Sequence, residues 1–217
     1  MAAPLLEWGL NRMIASRAHQ YLILHAAEVE QRGRALVMPA PPGSGKSTLC
    51  AALTHRGWRL LSDEFALIRP ADGRLAPLPR PVSLKDASID VIHAFAPAAV
   101  LGPRVADTVN SVAAYMRPPG DSVSRAQETA LPAWIVFPRF QSGASTVLTP
   151  LPRARAFFRL AENAFNYTLL GKQGFDTLAR AIEASESFEF LYSNLDEAVE
   201  LFASLAARHA AVSGPEV

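Results

Sequence analysis

Eight residues, Ala40-Pro-Pro-Gly-Ser-Gly-Lys-Ser47, join an apolar run ending at Pro39 to a stretch with helical patterning. This junction constrains the chain more than any other segment. Glycines at 43 and 45 allow torsions and close backbone approach that a side chain would block. Successive amide N–H groups and the N-terminus of the following helix then surround a polyphosphate with donors. Lys46 supplies a flexible cation for the β- and γ-phosphates, and the Ser47 hydroxyl can ligate Mg²⁺. Pro42, Gly43, Ser44, Gly45, Lys46, Ser47 and Thr48 are therefore the candidate nucleotide contacts. Ala40 stands where glycine is usual, which is tolerable only if its backbone torsions are ordinary.

The elements around the loop follow from periodicity. Residues 5–18 have the apolar spacing of an amphipathic helix behind Pro4. The segments 21–30 and 34–39 are strands parted by a Gln31-Arg-Gly33 turn, too close for a crossover helix, so they form an antiparallel hairpin. A helix over 46–56 stops near Gly57, and two strands, Trp58–Leu61 and Phe65–Ile68, flank Ser62-Asp63-Glu64. Between residues 70 and 132 prolines recur, predicting loops, short strands and one short helix near 87–95. Strands at 134–137, 145–149 and 188–192, helices over 153–169 and 172–184 broken at Gly171, and a last helix opened by Asn194-Leu-Asp-Glu197 as a capping box complete the chain. Residues from Ser213 onward are expected to be disordered. The whole, residues 1–217, is expected to be one α/β domain, with a proline-rich elaboration over 70–132 and a C-terminal helical part over 150–210.

Composition narrows the class. Half of the 217 residues are hydrophobic, which supports a substantial core and excludes a wholly disordered chain. Lys+Arg 21 against Asp+Glu 20 gives a formal net charge of +1 and argues against a protein that coats nucleic acid. The single cysteine, Cys50, excludes an intrachain disulfide framework and suits a reducing compartment; on the helix after the loop it reads as a buried structural thiol. With no apolar run near the roughly 18 residues of a membrane span, the expectation is a soluble cytoplasmic protein.

Asp63 and Glu64 close the strand after the loop helix. Adjacent carboxylates there can ligate Mg²⁺ or take a proton from an incoming hydroxyl, although acidic pairs are also common in solvated turns. His25, on the strand next to the loop strand, can reach the edge of a phosphate site and, when neutral, donate to a phosphate oxygen or orient a carboxylate; alone it reads as a half-buried core histidine. Arg80, Lys85 and Arg139 are candidates for a second cationic contact to phosphate if they converge on the loop, and solvated surface residues otherwise. Glu162, Asn163 and Asn166 read as a polar stripe packing on a neighbour, and Arg117-Pro-Pro-Gly120 as a loop able to close over substrate.

Taken together, Leu24-His25-Ala-Ala, the loop, and Arg56-Gly-Trp-Arg-Leu-Leu-Ser-Asp63-Glu64 resemble the bacterial HPr kinase/phosphorylase family over roughly residues 20–70. Pro79-Arg-Pro-Val-Ser-Leu-Lys85, Phe137-Pro-Arg139 and Leu160-Ala-Glu-Asn-Ala-Phe-Asn-Tyr are similar to the exosortase-associated branch called HPrK-related kinase A. The resemblance implies a P-loop core like that of HPr kinases and phosphoenolpyruvate carboxykinases, with a mixed, largely antiparallel sheet and flanking helices. It implies ATP and Mg²⁺, with Lys46 and Ser47 on phosphate and metal, Asp63 as acid/base and metal ligand, Glu64 in place of a second aspartate, and His25 near the phosphates. It also implies a small protein or peptide acceptor, PqqD-like or HPr-like, and homo-oligomer formation. A longer N-terminal segment typifies that branch. In Arg80–Lys85 this chain has no carboxylate where the family carries a metal-binding glutamate.

The leading expectation is an ATP-dependent kinase transferring the γ-phosphoryl group to a hydroxyl, serine on a small protein or peptide. An ATP-binding regulatory module without transfer and a small-molecule kinase are the alternatives; ATP and GTP are indistinguishable from phosphate contacts alone.

Overall fold

A computed structural model describes residues 2–108 and 111–213. The N-terminal helix α1 (Ala2–Arg17) leads into the hairpin β1 (Leu22–Gln31) and β2 (Arg34–Pro39), then the loop and α2 (Lys46–Thr54). Next come β3 (Arg59–Ser62), β4 (Phe65–Ile68), β5 (Leu75–Ala76), β6 (Val82–Lys85), α3 (Ala87–Phe95), β7 (Val105–Thr108), β8 (Ser111–Met116) and α4 (Gly120–Ser124). The chain ends with β9 (Leu131–Phe140), β10 (Val147–Pro150), α5 (Arg153–Glu162), α6 (Tyr167–Leu170), α7 (Lys172–Glu183), β11 (Glu186–Tyr192) and α8 (Leu195–Ser213).

The main sheet runs β10-β11-β9-β2-β1-β4-β5, with β3 also paired to β1. It is mixed: β2·β9 and β9·β11 are parallel and the other pairs antiparallel. The mixed α/β class with flanking helices is therefore as expected. Alternation along the strands feeds two cores. Leu36, Met38, Trp134 and Val136 pack with Leu49 and Leu53 of α2 and Phe202 of α8. Ala35, Val37, Ile135 and Phe137 pack on the other face with Leu160 of α5 and Leu178 of α7. Strands covered on both faces read as continuous apolar runs, which is the pattern of β2 and β9.

One pairing positions the site. The long strand β1 has β2 on one edge and shares its other edge between β4, at Leu22–His25, and β3, at Glu28–Glu30. The turn between β3 and β4 therefore lies against the middle of β1, where Ala26 N–H donates to the Glu64 carbonyl at 3.3 Å. On the opposite edge Ala26 pairs with Pro39, so His25 stands level with the start of the loop.

Several elements differ from the sequence expectation. The proline-rich stretch contributes a second, three-stranded sheet, β6-β8-β7, with α3 and α4. Arg117-Pro-Pro-Gly120 leads into α4, whose Ser122 hydroxyl accepts from Leu60 N–H at 3.0 Å, so this segment is bonded to β3 rather than a free closing loop. The helix expected over 153–169 is two: the chain turns at Asn163–Asn166 so that Asn166 can satisfy β1. Asn166, 2% exposed, accepts from Ile23 N–H at 2.9 Å and donates to the Tyr21 carbonyl at 2.8 Å. The strand expected at 188–192 is present as β11, and it enters the main sheet between β9 and β10, so the C-terminal part over 150–210 combines helices with a core strand. Asn194 does cap α8, accepting from the amides of Asp196 and Glu197, but the Glu197 carboxylate accepts from Thr146 instead of closing a capping box. Helix α8 runs to Ser213; the rest of the tail expected to be disordered lies outside the described residues. Among the described residues no helix is long and apolar enough to cross a membrane.

Candidate active site

The loop leaves β2 at Pro39, and both its glycines have left-handed torsions, φ +82° at Gly43 and φ +86° at Gly45. Ala40 is not among the described residues with positive φ, so alanine stands there without strain. Gly45 caps α2 and no side chain bonds the helix end, which leaves the first-turn N–H groups oriented for an anion. Two strand ends brace the loop: Phe140 N–H donates to the Ser44 carbonyl and the Tyr192 hydroxyl to the Gly45 carbonyl, each at 2.9 Å. A Cβ on Gly45 would lie 2.9 Å from Phe140 Cβ and still closer to the Tyr192 hydroxyl. Burial pushes the Tyr192 phenol up, so it stays a donor.

Lys46 and Asp63 meet beneath the loop. Both are 6% exposed. Lys46 Nζ donates to the Asp63 carbonyl at 2.6 Å and lies 3.9 Å from Asp63 Oδ1. Ser83 N–H donates to Asp63 Oδ2 at 3.3 Å, while Oδ1 has no hydrogen-bond partner. Glu64 is more open, and its Oε1 lies 3.6 Å from His25 Nε2, close but beyond a hydrogen bond. Burial and then the Lys46 charge lower the His25 pKa, against the pull of Glu64 and Asp63, so the imidazole is neutral at pH 7. Asn163 fixes the strand here, its carbonyl accepting from His25 N–H at 2.8 Å.

His25, Lys46, Asp63 and Glu64 are thus neighbours. Ser47 is half-buried in the first turn of α2, and the Thr48 hydroxyl donates to Ser88 at 3.0 Å. Of the three candidate cations only Arg80 reaches this centre, facing a cleft it shares with Asp63 and Glu64. Lys85 pairs with Asp107 at 2.7 Å, and Arg139 with the Gln141 side-chain oxygen at 2.6 Å. Asn163 and Asn166 join α5 and α6 to β1, in keeping with a packing role. Cys50 is buried, and burial raises its thiol pKa well above the usual value, as for an inert structural cysteine. Sequence reading missed Ser83 and Glu7 at the cleft, since nothing local marks a backbone amide or a distant helix as a neighbour of Asp63.

Among the described residues no three His, Cys, Asp or Glu side chains form a metal cage. Mg²⁺ bound with phosphates needs only one or two carboxylates, the rest of its shell coming from phosphate oxygens and water. The unpartnered Asp63 Oδ1, with Glu64 and Ser47, fits that donor set. No protein-family model matches the chain, and no curated protein matches it at a significant level.

Proposed function

We propose that this protein is a Mg²⁺-dependent ATP kinase that transfers the γ-phosphoryl group to a hydroxyl, serine on a small protein or peptide, on an HPr kinase-like P-loop core. The observation that carries this reading is the approach of the loop lysine to a buried carboxylate, Lys46 Nζ to Asp63 Oδ1 at 3.9 Å. Loop amides 43–48 bind the phosphates, and Lys46 shifts from Asp63 onto the migrating group. Asp63 accepts the hydroxyl proton as the acceptor oxygen bonds to phosphorus and the bond to the ADP bridging oxygen breaks. His25, neutral, donates toward a phosphate oxygen or steadies Glu64. Mg²⁺, held by Ser47, Asp63 and Glu64, would add positive charge across the β- and γ-phosphates. Positioning and electrostatics supply most of the acceleration in such transfers.

The test is incubation with γ-labelled ATP, Mg²⁺ and small serine-containing proteins of PqqD-like or HPr-like size. A labelled acceptor that Lys46→Ala removes supports transfer. Asp63→Asn should retain nucleotide binding and lose transfer; near-normal turnover would show that another group is the base. A specific observation favours a second reading, an ATP-binding regulatory module: β6 offers Asp63 a backbone amide, from Ser83, and no carboxylate. Tight ATP binding without turnover would select it.

A further inference from the structure

Arg80 sits at the rim of the Asp63 cleft, yet it is occupied by the N-terminal helix. Its Nη2 donates to Asn11 Oδ1 at 2.5 Å and lies 3.2 Å from Glu7 Oε1. Its Nε and Nη1 are buried without a hydrogen-bond partner. The guanidinium also rests over the Phe65 ring, 5.8 Å from its centre, which orients the fork. With α1 in place, the cleft that Glu7 lines with Asp63, Glu64, Arg80, Pro81 and Ser83 has water-sized room of about 10 Å³. That is space for about one water, so Glu7 narrows the approach to Asp63 on this side.

Helix α1 is built inside out for a permanent fixture. Leu5, Leu6, Trp8 and Met13 are more than half exposed, whereas Glu7 and Asn11 turn inward to Arg80. Its apolar hold on the body comes from Ile14 and Ala15 against Ile23, Phe65 and Leu67. Glu7 is also set against like charge: burial first, and then Glu64 and Asp63, raise its pKa, against the lowering by Arg80. A carboxylate held by one ion pair and the neighbouring Asn11 side chain, beside an arginine with donors left over, is a seat that a better-shaped carboxylate can take, because a bidentate pair satisfies two donors at once.

We propose that Arg80 anchors a carboxylate of the acceptor, so that the acceptor is an acidic serine-containing peptide segment, and that Glu7 of α1 holds this seat until such a segment displaces it. The acceptor role rests on the transfer reading above; the carboxylate seat does not.

Two peptides serve as probes with the full chain, one with glutamates on both sides of a serine and a twin with glutamines. Titration calorimetry should give roughly tenfold tighter binding of the acidic peptide, the ratio expected for one charge-assisted contact. Glu7→Gln should tighten the acidic peptide several-fold, leave its twin unchanged, and speed amide exchange across α1. Arg80→Gln should erase the preference, and Arg80→Lys, which keeps the charge without the fork, should reduce it, with ATP affinity retained as evidence of folding. Equal binding of the twins to wild type and Glu7→Gln, or no effect of Glu7→Gln on the acidic peptide, overturns the proposal. Labelled transfer separates the two readings. Acidic preference without transfer removes the kinase and keeps the seat, whereas transfer without acidic preference removes the seat and keeps the kinase.

Discussion

The Tyr192 hydroxyl donates to the Gly45 carbonyl at 2.9 Å, tying the last residue of β11 to the residue that caps α2. The main-chain bond from Phe140 to Ser44 lies beside it, and the two rings meet edge to face at 5.6 Å. The curvature of the loop is therefore held by two strand ends from the far part of the chain, as well as by its own glycines.

Removing that hydroxyl tests the brace. Tyr192→Phe keeps the ring contacts and loses one buried hydrogen bond, so stability should fall by about 1 kcal/mol and nucleotide affinity by a few-fold. Gly45→Ala adds overlap with Phe140 and Tyr192 to a left-handed φ; strain of that kind is on the order of 1–3 kcal/mol before the overlap is counted. It should abolish nucleotide binding. Thermal denaturation and titration with a fluorescent nucleotide read both effects.

Lys46 and Asp63 are a nearly buried charge pair, so each should be costly to remove alone. Lys46→Ala leaves the Asp63 carboxylate with only Ser83 N–H, an expected loss of about 3 kcal/mol in stability. Asp63→Asn in the same chain should restore part of it. A double-mutant cycle by chemical denaturation should therefore give a coupling on the order of 1–3 kcal/mol, and independent, additive losses would contradict the pairing.

Glu28 is fully buried on β1, and burial pushes its pKa well above 4.5, outweighing the Leu67 backbone. The native state then holds a proton that the unfolded chain loses above about pH 4.5, so stability falls as pH rises, by about 1.4 kcal/mol per unit until the folded pKa is reached. Glu28→Gln removes that slope. It should be near parity with wild type at pH 5 and clearly more stable at pH 7.5 by urea denaturation. His25 acts with the opposite sign: its lowered pKa makes stability fall as pH drops below about 6.5.

Arg59 is 5% exposed and makes three contacts, with Glu30 Oε2 at 2.5 Å and the carbonyls of Arg125 and Glu128 at 2.9 Å each. Arg59→Met leaves Glu30 with the Gly33 amide and the more distant Arg125, frees two carbonyls, and should cost about 3 kcal/mol. Arg59→Met with Glu30→Gln should recover much of that, read from denaturation midpoints.

What could be read locally was read well. The loop, the hairpin and the acidic turn each lie within a few residues, and their torsions and periodicities are set by near neighbours. The break between α5 and α6 was missed because its cause is remote: Asn166 leaves the helix to bond Tyr21 and Ile23 on β1. Nothing in the local sequence around Glu28 and Glu30 marks them as buried. They are buried because β3 joins the same edge of β1 as β4, a pairing invisible to alternation along one strand.

By itself the amino-acid order determined where the backbone turns left-handed, at Gly43 and Gly45, and that Lys46 follows at once, since these act through short-range sterics and adjacency. Tertiary structure alone decided who meets whom. Tyr192 reaches Gly45 across 147 residues and Arg80 reaches Asn11 across 69. Contacts at such separations depend on strand order and on which face each helix covers, and these emerge only when the two faces of the sheet are buried together.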